Sequence, residues 1–168
     1  MVSITKKRKE ITMLTSELIL EICHNIDHNN IRIIKNLFEE IDNLSDHNIQ
    51  VINLFVNRAV QIRQDSTLFV YFMNRFSSRI DELDWDSIVM NASWLAHPDS
   101  MEYILEHGHI PDMEWAFRNS AMFGRLDMLK LYFKYGYTIS DKTKTALELA
   151  KSERRTNVVL FLRNRGVV

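Results

Sequence analysis

The sequence predicts an all-α fold in which about five helix pairs stack in a row. Glycine and proline number only 4 and 2 among 168 residues, and this scarcity disfavours the tight turns of an all-β protein. Apolar residues make up 46% of the chain, which is enough for a core, and they recur at the spacing of amphipathic helices. The pattern returns about every 30 residues, which indicates a helical-repeat solenoid.

The first four helices are predicted from apolar spacing. Residues 11–25 have helical apolar spacing, with Thr15-Ser16 as a candidate cap within this region, and a second helix is predicted over residues 31–43. A polar linker comes next, and then a pair of helices at residues 49–62 and 66–76.

The second half of the chain repeats the arrangement. Residues 80–85 are predicted to form an acidic loop. Pro98 marks the start of a helix, because proline is favoured in the first helical turn. The six helices of the last three pairs are predicted at residues 87–96, 100–107, 114–122, 126–135, 145–151 and 157–165.

The period can be measured at the start of each second helix. The residues at this position are Arg32, Asp65, Asp99, Asp127 and Asn157. Successive units are therefore 33, 34, 28 and 30 residues apart. The residues nine positions further on, where each second helix should end, are Asn74, Gly108, Gly136 and Gly166 in the last four units.

The last unit resembles an ankyrin repeat. Residues 145–150 read Thr-Ala-Leu-Glu-Leu-Ala, and residues 157–162, Asn-Val-Val-Leu-Phe-Leu, precede Gly166. The family shows a T-P-L-H-x-A opening, a V-V-x-L-L helix and a closing glycine. Residues 124–127, Gly-Arg-Leu-Asp, are similar to its G-H-L-D turn. The sequence departs from the motif at Glu148, which stands where the motif has histidine.

The resemblance implies an ankyrin-like solenoid with degenerate repeats, of the kind found in viral and intracellular bacterial proteins. It implies one domain over residues 11–168, preceded by a basic flexible tail of residues 1–10. The units would span about residues 11–43, 49–80, 84–111, 112–141 and 142–168.

Composition bears on the compartment and on the partners. The single cysteine, Cys23, cannot form an intramolecular disulfide, so we expect a reducing, cytoplasmic location. No run of about 18 apolar residues is present, so we expect no membrane span. Residues 6–9, Lys-Lys-Arg-Lys, could serve as a nuclear-import address or contact a phosphate backbone.

The net charge of −1 hides an acidic middle segment. Residues 81–114 carry nine acidic side chains and neither lysine nor arginine. Trp85 stands near the start of a first helix, where an aromatic side chain can reach the concave face of a solenoid. The candidate partner-binding residues are Asp81, Glu82, Asp84, Trp85, Asp86, His109, Asp112, Met113, Glu114, Arg118 and Tyr137.

Other side chains are assigned structural roles. His97, His107 and His109 lie among carboxylates, but metal coordination needs three or four converging ligands, so we expect no metal site. Trp94 is expected in the core. The asparagines at equivalent positions of three units are expected to face inward and to bond the backbone of an adjacent turn as buried amides; these are Asn57, Asn91 and Asn119.

The chain carries none of the common catalytic motifs. It has no glycine-rich phosphate loop, no G-x-S-x-G, no H-E-x-x-H and no paired C-x-x-C, so we expect neither an enzyme nor a cofactor.

The leading hypothesis is a protein-interaction module, a monomer or weak dimer, whose acidic concave surface binds a basic partner protein. The alternative is a protein that binds nucleic acid through its basic segments, or an inhibitor whose acidic face imitates nucleic acid. The sequence pI of about 6.6 is not that of a typical nucleic-acid binder.

Overall fold

The computed structural model describes residues 14–39, 41, 48–109 and 112–168, and in these residues the chain is all-helical, without strands. A 3-10 helix, Ser77–Glu82, lies between the fourth and fifth α-helices. The α-helices are α1 Ser16–Asp27, α2 Ile31–Glu39, α3 Ile49–Val60, α4 Thr67–Arg75, α5 Trp85–Trp94, α6 Pro98–Glu106, α7 Met113–Met122, α8 Leu126–Lys134, α9 Asp141–Ser152 and α10 Thr156–Asn164.

The helices pack as successive pairs. Each odd-numbered helix contacts the even-numbered helix that follows it in the chain. The odd-numbered helices also contact one another in order from α1 to α9, and α4, α6, α8 and α10 do the same. Arg58, in the last turn of α3, bonds Asp27 at the end of α1 at 2.6 Å, so these two helices point the same way.

The core continues through all the pairs. In the first two pairs the ring of Phe38 lies 5.9 Å from Phe55 and 5.4 Å from Phe72. Further along the chain, Phe117 of α7 lies between Tyr132 at 6.0 Å and Tyr137 at 4.0 Å. Phe133 of α8 also lies 5.9 Å from Phe161 of α10. Aromatic contacts thus join the first pair to the second and the fourth to the fifth, so these pairs share parts of their cores.

A residue with positive φ follows six of the ten described α-helices, namely α1 and α6 to α10. Gly108, Gly136 and Gly166 follow α6, α8 and α10 with φ of 71°, 93° and 86°, as the predicted glycine stops require. Asn74, the other member of that series, lies inside α4. Arg154 adopts φ 54° after α9, although an L-residue with a side chain is strained there.

Two arginines at equivalent positions join the fourth and fifth helix pairs to the pair before each of them. Arg125 is 4% exposed and donates to the carbonyls of Trp94 at 2.7 Å and Ala96 at 2.6 Å. Arg155 donates through Nε to the carbonyl of Met122 at 2.9 Å. Each arginine thus donates to carbonyl groups at the C-terminus of the preceding odd-numbered helix. These terminal carbonyls have no donor within their own helix.

Several predicted boundaries are wrong. The first helix begins at Ser16 rather than at residue 11. Its N-cap is Thr15, one of the two predicted capping residues. The acidic segment before Trp85 is largely 3-10 helix rather than loop. The ninth helix begins at Asp141, four residues before the predicted start. Residues 1–13 and 42–47, which include the predicted tail and most of the linker, lie outside the described residues.

The prediction that Trp94 belongs to the core is also wrong. Its side chain is 45% exposed, and its ring stacks on Phe123 with centroids 4.7 Å apart. Trp94 ends α5 and Phe123 follows α7, so the stack bridges two neighbouring odd-numbered helices at their C-terminal ends.

Candidate functional site

A groove of about 500 Å³ lies where the N-terminal halves of α5 and α7 meet. We refer to it as the acidic groove, because three of its side chains are carboxylates from the predicted partner-binding set. It is lined by Asp84, Asp86, Ser87, Val89, Met90, Asp112 and Trp115.

Two of the carboxylates are also N-caps. Asp84 accepts from the backbone N–H of Ser87 at 3.1 Å, and Asp112 accepts from that of Trp115 at 2.9 Å. The positive end of each helix dipole stabilises the charge of its cap. The fold therefore holds both carboxylates at the same end of two adjacent helices, which fixes one edge of the groove.

The groove carboxylates have no ion-pair partner among the described residues. The observed ion pairs involve none of Asp84, Asp86 and Asp112. Glu82 differs, because it forms an ion pair with Arg79, with a second contact at 2.7 Å. The hydrogen bonds from Arg79 lower the pKa of Glu82.

Apart from Ser87, the remaining groove residues have apolar side chains. Val89 is buried, Trp115 is half-buried, and Met90 is 45% exposed. Met90 and Trp115 were absent from the predicted set. Met90 follows Asp86 by four residues on the same helix, so the i, i+4 spacing alone could have indicated that they share a face.

Trp85 and His109 form a stack beside the groove rather than lining it. Their ring centroids are 3.9 Å apart and nearly parallel, and the Trp85 indole N–H donates to the carbonyl of Ile80 at 3.0 Å. Burial lowers the pKa of His109, and nearby His107 lowers it further. Asp81 is exposed near this stack, and its negative charge acts to raise the pKa of His109, against the two larger effects.

Tyr137 lies in the core. It is 9% exposed, stacks on Phe117 at 4.0 Å, and its hydroxyl lies 3.2 Å from that of Thr143. Burial raises its pKa, and the charge of Glu114 adds to the shift. Tyr137 is therefore positioned to stabilise α7 against α9, away from the groove.

Met113, Glu114 and Arg118 are half-buried on α7. Glu114 Oε1 and Arg118 Nε are both buried without a hydrogen-bond partner in the described structure. The two side chains are four residues apart, but they belong neither to the groove lining nor to an observed ion pair among the described residues.

The repeated asparagines lie further along the odd-numbered helices. Asn57 donates to the carbonyl of Asn53 at 3.0 Å, as expected, and Asn91 donates to Asn57 Oδ1 at 2.9 Å. Asn119 is half-buried, as are Asn57 and Asn91, so these amides lie near the surface. The bond between Asn91 and Asn57 joins equivalent positions of α5 and α3.

In the part of the chain that the structure describes, no three His, Cys, Asp or Glu side chains come together as a metal ion would require. No helix among these residues has the length and apolar character to cross a bilayer. Comparison with protein-family models, curated proteins and solved structures found no match to this chain.

Proposed function

We propose that this chain is a non-catalytic binding module whose acidic groove holds a basic segment of a partner protein. One observation carries the proposal: three carboxylates without ion-pair partners among the described residues line the same groove as a partly exposed apolar surface. They belong to Asp84, Asp86 and Asp112, and the apolar surface belongs to Met90 and Trp115.

This combination suits lysine or arginine better than a small cation. A long basic side chain can lay its aliphatic stem on an apolar surface while its charged end reaches a carboxylate. The Trp115 ring offers a further attraction to a cation, and tryptophan is enriched among residues that dominate binding energy. The carboxylates would mainly accelerate association and select a partner of opposite charge.

The proposal includes an ankyrin-like solenoid as the scaffold. The order in which the helix pairs contact one another supports it. The positive-φ residues recur at one position in three units, at Asn29, Gly124 and Arg154, and the contacts of Arg125 and Arg155 recur one unit apart. In such a solenoid, loops and odd-numbered helices form an extended binding surface.

The setting of this module is proposed from the sequence. The lone Cys23, which is buried and unpaired, supports a cytoplasmic location, and residues 6–9 would permit nuclear entry. Because the sequence resembles degenerate repeats of viral and bacterial proteins, the proposal includes a role as a modulator of host proteins.

The test compares two variants that each lose three negative charges. Asp84→Asn/Asp86→Asn/Asp112→Asn removes the groove charges, and asparagine caps a helix as well as aspartate does. The control, Asp99→Asn/Asp141→Asn/Glu153→Gln, removes three exposed charges elsewhere. Both variants also carry Lys6→Gln/Lys7→Gln/Arg8→Gln/Lys9→Gln, so that octalysine does not compete with the basic segment of the chain itself. The measurement is the anisotropy of fluorescein-labelled octalysine at low salt.

We expect the groove variant to bind octalysine about tenfold more weakly than the control, because each exposed charge contributes up to about 1 kcal/mol. Equal affinities of the two variants would refute the proposed site. A labelled single-stranded DNA oligonucleotide tests the alternative function. Salt-dependent binding of DNA by the wild-type chain would favour nucleic-acid recognition through the basic segments.

A further inference from the structure

The chain contains a segment with the chemistry that the acidic groove selects. Lys6, Lys7, Arg8 and Lys9 are four consecutive basic residues outside the described part of the chain, and Ile4 and Ile11 stand on either side of them. We infer that this basic segment occupies the acidic groove of its own chain and competes there with the partner. The inference rests on the groove of the proposed function.

The segment enters at the correct end of the molecule. The bond between Arg58 and Asp27 shows that α1 and α3 are parallel, and the bond between Asn91 and Asn57 relates α5 to α3 in the same register. The backbone N–H of Asp84 also donates to Asn53 Oδ1 in α3, at 2.8 Å. The N-terminus of α1 therefore lies at the end where the groove opens.

The reach is sufficient. Eight residues separate Lys6 from Leu14, and an extended chain spans about 3.3–3.6 Å per residue, or roughly 27 Å in all. From α1 to the groove are two and a half helix spacings of about 8–10 Å each, or roughly 20–25 Å. The length of chain between Lys6 and Leu14 is thus sufficient to span this distance with α1 folded.

The charges match in sign. Lys6 and Lys7 are far enough from Leu14 along the chain to cover this distance, and three groove carboxylates have no ion-pair partner in the described structure. Met90 and Trp115 can accept an apolar side chain from beside the basic cluster. A segment tethered this closely acts at an effective concentration on the order of 1 mM, so even weak intrinsic affinity would fill the groove.

The experiment uses the full chain and a fluorescein-labelled peptide with the sequence of residues 1–13. One receptor is the wild-type chain, and the other carries Lys6→Gln/Lys7→Gln/Arg8→Gln/Lys9→Gln. If the tethered segment occupies the groove, the Gln variant binds the peptide about tenfold more tightly than the wild type, for an intrinsic dissociation constant of about 0.1 mM. Adding the three groove Asp→Asn changes to the Gln variant removes this gain, whereas Asp99→Asn/Asp141→Asn/Glu153→Gln preserves most of it.

Three results would overturn the inference. They are equal affinity of the wild type and the Gln variant, failure of the peptide to bind either receptor, and a gain that survives neutralisation of the groove. Sedimentation velocity separates binding within one chain from exchange between copies, because a dimer that requires the basic segment would assign the groove to a second copy. A different result would refute the proposed function, namely that octalysine does not bind the Gln variant through the groove carboxylates.

Discussion

Arg125 shows how one buried charge can join two helix pairs. Its guanidinium contacts two backbone carbonyls of the preceding pair and Asp127 of its own pair, at 2.8 Å from Oδ2. A buried charge is tolerated only when it is paired and hydrogen-bonded, and each of these partners comes from a helix end. The contact is therefore specific to the relative position of the two pairs.

We predict that Arg125→Ala lowers the free energy of unfolding by about 3 kcal/mol, because it leaves buried carbonyls without donors and Asp127 without its partner. Arg155→Ala is the matched control, since Arg155 occupies the equivalent position with one backbone acceptor. Its loss should be about 1 kcal/mol. Urea unfolding followed by circular dichroism measures both variants. Equal losses would show that the additional contacts of Arg125 contribute nothing.

Asp127 links this contact to pH. Burial raises the pKa of Asp127, but the hydrogen bonds and charge of Arg125, with backbone N–H groups, outweigh it, so the pKa falls below its ordinary value of 3.8. A carboxyl group with a lowered pKa stabilises the fold above its unfolded-state pKa and loses that contribution as pH falls through the folded-state value. The loss therefore occurs below about pH 4.

We predict that Asp127→Asn lowers the Tm more at about pH 6 than at about pH 3, because protonation has already weakened the wild-type contact at the lower pH. Thermal unfolding at the two pH values measures the difference. Asp141→Asn serves as the control, since its side chain is 99% exposed. A Tm deficit of Asp127→Asn that does not change with pH would contradict this account.

At the scale of the elements, helix ends show best what the sequence can predict. The glycines after α6, α8 and α10 can be located from the sequence, because only glycine adopts positive φ without strain. Arg154 performs the same function with φ 54°, and its residue type gives no warning. The repeat period would have identified it, since it stands thirty positions after Gly124.

We predict that Arg154→Gly raises the Tm by about 2–4 °C, because it relieves roughly 1 kcal/mol of left-handed strain at an exposed position. Asn29→Gly is the comparison at the equivalent position after α1. No gain is expected there, because asparagine tolerates this conformation and its amide donates to Asp65 at 2.8 Å. Differential scanning calorimetry measures both, and a lower Tm for Arg154→Gly would refute the prediction.

The candidate site, like the helix ends, can be predicted from the sequence only in part. The carboxylates of Asp84 and Asp112 stand at the starts of two successive first helices, so the repeat register predicts that they lie at one end of the molecule. Non-local packing decides the rest. Tyr137 is buried because Phe117, twenty positions earlier, offers its ring face, and no local pattern shows that contact.

At the scale of the whole molecule, the order in which the helix pairs contact one another determines how far a destabilising change in one pair should spread. Each pair packs mainly on its neighbours, so a change in one pair should affect adjacent pairs more than distant ones. The same order places the acidic groove between the third and fourth pairs, where neighbours on both sides hold it in place. The end pairs, in contrast, have one neighbour each.

We predict that Phe117→Ala lowers the stability of the central and C-terminal pairs by about 3–5 kcal/mol, because the ring is fully buried against three aromatic side chains. Hydrogen exchange should accelerate most in α7, α8 and α9, while α1 and α3 keep more of their protection. Phe161→Ala, in the half-buried end helix α10, is the control, with a smaller effect confined to α9 and α10. If every helix instead lost protection by the same free energy in both variants, the chain would unfold as one cooperative unit. The nearest-neighbour account of stability would then be wrong.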